Sequence, residues 1–142
     1  MSRRKLGPAT HRNAGSRLRE RFGNAYVSVG LTFHHGAVDT GLGPIEVPVP
    51  ASDFAGATLD AAGPGPYLLD LRGKRLAPVD AWLSSPAKIR VVGPWYDPAD
   101  DAAYNMTGGS LGTWFDALVF VRQVTPIRRL SRAEESFASA SS

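Results

Sequence analysis

Two adjacent histidines, His34 and His35, are the sharpest chemical feature of the sequence. Imidazole exchanges a proton near neutral pH, so a histidine in a polar cleft suits general acid or base work. Side chains alternate along an extended segment, so only one of the two is expected to face a given cleft. The competing reading is a strand-end histidine satisfied by backbone groups. A metal centre needs further ligands, and no His-x-His, His-Glu-x-x-His or Cys-x-x-Cys spacing occurs. No metal is therefore expected.

Two carboxylates, Asp70 and Asp116, lie within or beside apolar runs, where a lone charge is costly. They read either as a general acid/base pair or as structural groups, with Arg72 on the same side of the chain as Asp70. Asp97, Asp100 and Asp101 lack the spacing of a calcium loop and read as solvated loop charge. The run Gly108-Gly109-Ser110-Leu111-Gly112 is expected to precede a strand, which argues against a phosphate cradle at a helix start. There is no Gly-x-Ser-x-Gly elbow and no Walker loop. Trp95, Tyr96, Tyr104 and Trp114 either line an apolar pocket or close a sheet edge.

The elements that must hold these groups follow from pattern. Asn13 is a competent N-cap, Leu18 and Phe22 share a face, and Gly23 is a natural stop, so a helix is expected over 13–23. Tyr26 to Phe33 alternates as a strand, with Val27, Val29, Leu31 and Phe33 on one side. Gly30 on the other side permits a close approach. His34-His35-Gly36 then falls at the strand's carboxyl end, where open α/β sheets commonly place their sites.

Residues 37–44 read as loop. Ile45, Val47 and Val49 alternate with Glu46, Pro48 and Pro50, an edge strand or extended arm. Ser52 is expected to cap a second helix that carries Phe54, Leu59 and Ala62 and stops at Gly63. Tyr67 to Leu71 and Ile89 to Val92 read as short strands. One helical turn is expected over Asp80 to Leu83, with Trp82 inward. Residues 94–113 read as a long loop. Trp114 to Val121 reads as a central strand covered on both faces.

The 142 residues, 43% of them hydrophobic, suit one domain with a real core. The expected organisation is a flexible leader over 1–12, an α/β region over 13–130 and a disordered tail over 131–142. There is no cysteine, which fits a reducing, cytoplasmic setting. No apolar run is long enough for a membrane helix. The net charge is +3, and arginines gather toward both ends. They read as solvated charge, because no basic groove or nucleic-acid motif accompanies them.

Five segments in order resemble the C-terminal third of the erythromycin esterase family. They are Gly15 to Gly23, Tyr26 to Gly36, Leu68 to Arg72, Trp95 to Pro98, and Phe115 to Val121 with Thr125-Pro126. The resemblance implies a small sheet with flanking helices, part of an α/β fold with a deep cleft. It also implies hydrolysis of a carboxylic ester, of the macrolide lactone type linked to macrolide resistance, by a histidine-activated water with glutamates nearby and no cofactor. Of the positions matched, His35 is the candidate cleft residue. The family's general-base histidine, its glutamates and its His-Asn-x-His segment precede the helix matched by Gly15 to Gly23. The expectation is therefore a truncated or split chain, inactive alone, that meets its ester substrate together with a missing N-terminal part. The alternative is a stand-alone binding module that self-associates through an exposed sheet edge.

Overall fold

The computed structural model describes residues 13–128. The expected leader, and all of the expected tail, lie outside the described residues. Asn13 caps the first helix, α1 (Ala14–Phe22), by accepting from the Ser16 N–H at 2.9 Å. Gly23 ends it with φ +54°, a conformation suited to glycine. A 3₁₀ turn, Gly23–Ala25, follows.

The first strand, β1, spans Val29–Asp39 rather than 26–33. It starts late because the chain before it is otherwise engaged. Tyr26 O accepts from Arg19, and Ser28 is held by Asp116. It ends late because β6 (Ala117–Val124) runs parallel beside it, from Val29↔Ala117 to Gly36↔Val124. His34, His35 and Gly36 therefore lie inside the strand. Part of the expected loop, Ala37 to Asp39, pairs with β2 (Pro44–Val47).

The four-stranded sheet has the order β2-β1-β6-β3, with β3 covering Tyr67–Asp70. β2 is an edge strand, as its prolines require. The final strand is central, as expected, but its limits shift. Ser110 and Thr113 form a reciprocal capping box that turns Leu111–Trp114 into a short helix, α4. The strand begins only after Asp116.

Three further helical or strand assignments also change. Helix α2 runs Ala55–Ala62, three residues after Ser52, because Phe54 turns back to Ala51 O and Ala55 N–H bonds Lys88 O. It stops at Gly63 as expected. Helix α3 is longer than one turn, Ala77–Ser84; it buries Leu83, and Trp82 packs against the core as expected. The long loop holds a 3₁₀ segment, Pro98–Ala103, and the strand β5 (Asn105–Met106), which pairs with β4 (Ile89–Arg90).

The core lies on one face of the sheet. Leu118 and Phe120 of β6 are 0% exposed and pack with Ala55 and Leu59 of α2, Leu83 of α3 and Leu111 of α4. Gly30 of β1 lies on this face. A Cβ there would stand 2.8 Å from Leu118 Cδ1 and 2.9 Å from the Phe115 ring, so protein fills the space that Gly30 leaves. Along the last strand Ala117, Leu118 and Phe120 are buried and Val119 and Val121 half-buried, but the cover does not extend over β1. Val29 and Leu31, which alternation places on one side of β1, are 53% and 79% exposed. Alternation places residues on faces, and the packing of neighbours decides which face is buried.

Candidate functional site

β1 carries His34 and His35 to the end of the sheet at which the parallel pair β1 and β6 terminates. Alternation sets the direction of each Cβ, yet the two rings turn toward one another. Their Nδ1 atoms stand 2.9 Å apart with the ring planes at 81°. The rings thus meet although the backbone sends their Cβ atoms to opposite sides.

His34 looks toward α2, where its Nε2 lies 3.8 Å from Asp60 Oδ2. That is an ion-pair distance, too long for a direct hydrogen bond. Arg122, which lies across from His34 in the parallel register, grips Asp60 with both nitrogens, Nε to Oδ1 at 2.6 Å and Nη2 to Oδ2 at 3.2 Å. The guanidinium holds the Asp60 carboxyl below its ordinary range. Burial pushes the His34 imidazole below its ordinary value, against the pull of Asp60.

Only one of two facing Nδ1 atoms carries hydrogen, so one imidazole donates to the other. In the tautomer with the His34 proton on Nε2, toward Asp60, His35 Nδ1 is the donor and His35 Nε2 is free to accept. His35 also lines an open groove of about 530 Å³ with Glu46, Val47, Pro48, Val49, Pro98 and Ala99.

A buried ion pair, which the sequence reading missed, holds the walls of that groove together. Arg90 donates to His34 O at 2.8 Å, to Pro48 O at 2.7 Å and to Asp101 Oδ2 at 2.9 Å. Its Nε lies 2.8 Å from Asp101 Oδ1, and the two side chains are 4% and 12% exposed. Tyr96 donates its hydroxyl to the same carboxylate at 2.5 Å. Burial, first, and this bond raise the Tyr96 hydroxyl well above its ordinary value. Asp101 is thus not the solvated loop charge that the sequence suggested. The one local hint was a basic residue, Arg90, interrupting an apolar strand; nothing in the acidic cluster marked Asp101 from its neighbours.

The other candidates disperse. Asp70 and Asp116 do not form an acid/base pair, because each is taken by its own arginine. Asp70 pairs with Arg72 on the surface, while Asp116 accepts from Arg19 and from the Ser28 N–H at 2.8 Å. Asp97 caps the Pro98–Ala103 segment through the Ala99 N–H. Residues 108–112 lead into α4 rather than straight into a strand, and Ser110 is spent on its capping box. The aromatic residues line no common pocket. Trp95 is 88% exposed, Tyr96 and Tyr104 pack edge to face, and Trp114 packs on Phe115. Among the described residues, no group of three or more histidines and carboxylates is placed to hold a metal ion. No described helix is long and apolar enough to cross a membrane.

A family model described as erythromycin esterase matches residues 2–124. The chain belongs to the erythromycin esterase family. No curated protein matches it. Among solved structures, a succinoglycan biosynthesis protein is similar at 23% identity and a TM-score of 0.60, over 79% of this chain and 27% of its own. A Bacillus cereus protein is similar at 23% identity and a TM-score of 0.61, over 82% of this chain and 29% of its own. These likenesses show the fold, the C-terminal α/β part of the erythromycin esterase family. The chain spans less than a third of the length of either solved relative.

Proposed function

We propose that this chain is the C-terminal part of an erythromycin esterase-like carboxylic ester hydrolase of the macrolide lactone type, with His35 the residue that it presents to substrate. The observation that carries this reading is the ordered line of Asp60, His34 and His35 beside the groove. It leaves His35 Nε2 able to take a proton from water. No described serine hydroxyl bonds to either histidine, which favours water over serine as the nucleophile. The absence of cysteine supports a reducing, cytoplasmic setting. The family's upstream histidine and glutamates complete the reaction when an N-terminal part is present, and no cofactor is required.

The test is hydrolysis of a macrolide lactone and of a p-nitrophenyl ester. The 142-residue chain is expected to be inactive by itself and active when an N-terminal portion is supplied. His35→Ala is then expected to lower turnover by at least about a hundredfold, the low end for general base catalysis. Hydrolysis by the chain alone, or full activity after His35→Ala, refutes the assignment. A second reading, a non-catalytic interaction module, draws support from the bare face of the sheet. It predicts binding of a partner without hydrolysis under any pairing.

A further inference from the structure

The groove beside His35 holds a carboxylate that the fold does not use. Glu46 lies on the edge strand β2 opposite Ala37, and Ala37 is two residues along from His35. Both side chains therefore leave the β1–β2 ribbon on one face, and both line the groove. The neighbouring cations are already spent: Arg90 on Asp101, Lys88 on Asp53 and Arg122 on Asp60. Among the described residues, Glu46 is the carboxylate with neither a hydrogen bond nor an ion pair.

The groove is rich in acceptors and poor in donors. Its other walls are Val47, Pro48, Val49, Pro98 and Ala99. Neither proline has an N–H, and the Ala99 N–H is taken by Asp97. With the His34 proton on Nε2, His35 Nε2 adds a second acceptor. A carboxylate and an imidazole nitrogen on an apolar wall complement a cation that brings its own N–H donors on an apolar body. An anion would be repelled by Glu46, and a neutral ligand would leave its charge unanswered.

We propose that this groove binds an amphiphilic primary ammonium ion. Glu46 is its counter-ion, His35 Nε2 accepts a second of its N–H groups, and its apolar body lies along Val49 and Pro98. The site goes beyond ester hydrolysis. Its ligand takes the nitrogen that the hydrolase reading assigns to water, so it competes with that step.

The experiment titrates the 142-residue chain with phenethylamine at about pH 7.5, where an alkylamine is protonated, and follows the backbone amides by NMR. Shifts are expected at the groove amides, those of His35, Glu46, Val47, Val49 and Ala99. Phenethyl alcohol, with the same body and no charge, is expected to bind about two- to fivefold more weakly, the upper range for an exposed ion pair. Glu46→Gln is expected to remove that difference. Asp70→Asn changes the net charge equally at a surface pair on β3, away from the groove, and is expected to preserve it. Phenethyltrimethylammonium, which has no N–H, is expected to bind more weakly than the primary amine to the parent, and His35→Phe is expected to remove that advantage. Equal affinity of the parent for amine and alcohol overturns the proposal. So do a preference that survives Glu46→Gln, one that Asp70→Asn also removes, and shifts that fall outside the groove. None of the probes is an ester. An inactive chain therefore leaves the cation site standing, and a lost amine preference leaves the hydrolase reading standing.

Discussion

Replacing Asp101 with alanine is expected to cost about 3–5 kcal/mol of folding stability, the range for breaking one half of a buried ion pair. The structure supports the upper part of the scale for three reasons. The Arg90 side chain is only 4% exposed, so its charge has little water to turn to. Asp101 accepts from Arg90 Nη2 and holds its charge 2.8 Å from the buried Nε, while the remaining partners, His34 O and Pro48 O, are neutral. Tyr96 also loses its acceptor. The surface pair of Arg72 and Asp70, with side chains 55% and 57% exposed, is the internal control. Asp70→Ala is expected to be close to neutral, because water screens the pair. Asp101→Asn keeps an acceptor but loses the charge and should fall between, near 2 kcal/mol by the usual worth of bonds to charged groups, about 1.5–3 kcal/mol. Urea titration followed by fluorescence of the three tryptophans reads all three values. Because native domains are stable by only about 5–15 kcal/mol, Asp101→Ala should stand close to unfolding at 37 °C. Arg90→Met with Asp101→Leu should recover much of the loss, since no charge is then stranded. An Asp101→Ala cost within about 0.5 kcal/mol of the Asp70→Ala cost refutes the argument that burial makes this pair matter.

Three further outcomes follow from the same structure. Leu118→Ala is expected to cost about 2–5 kcal/mol, while Leu31→Ala on the opposite face should change stability by less than about 0.5 kcal/mol; equal costs in denaturant would contradict the one-sided core. Burial lowers the His34 pKa in the folded chain, so the unfolded chain binds more protons below about pH 6.5. Its share of stability is thus fully present above that pH and declines as pH falls toward the folded value. His34→Gln should flatten the difference between unfolding free energies at pH 7.5 and 5.5, and an unchanged slope would count against a buried His34. The Ser28 N–H, first, and Arg19 depress the Asp116 pKa. Its contribution is present above about pH 4 and is lost as pH falls through the lower folded value. Asp116→Asn should weaken the fold at pH 7 by about 1–2 kcal/mol and make the acid limb of the stability curve shallower; an acid limb as steep as the parent's would show that Asp116 is not the group responsible.

Local chemistry was legible in the sequence. Asn13 and Gly23 bound the first helix because capping depends on a side chain and a backbone only three or four residues away. Gly63 ends α2 for a similarly local reason, and the prolines around β2 confine it to an edge. Motifs spread over the chain carried the family, since five segments in order have few chance alternatives. The expectation that the histidines follow the strand at its carboxyl end did not hold, because β1 runs on to Asp39 beside β6 and β2. The boundaries of β1 and β6 did not follow, because a strand lasts as long as its partner does. Each extends past the predicted end to complete the parallel register from Val29 to Gly36.

The sequence by itself determined an α/β chain of the erythromycin esterase family, its helix stops, its edge strand and a histidine pair near the sheet end. These rest on residue types and short spacings, which act through local hydrogen bonds and steric limits. The tertiary structure alone decided that the two imidazoles meet, that Asp60 and Arg122 stand behind His34, and that Asp101 is buried on Arg90. It also decided which face of β1 is bare. Those outcomes depend on groups from distant parts of the chain arriving at one place. Binary patterning can say that two sides differ, but only the neighbours that pack there decide which side water leaves.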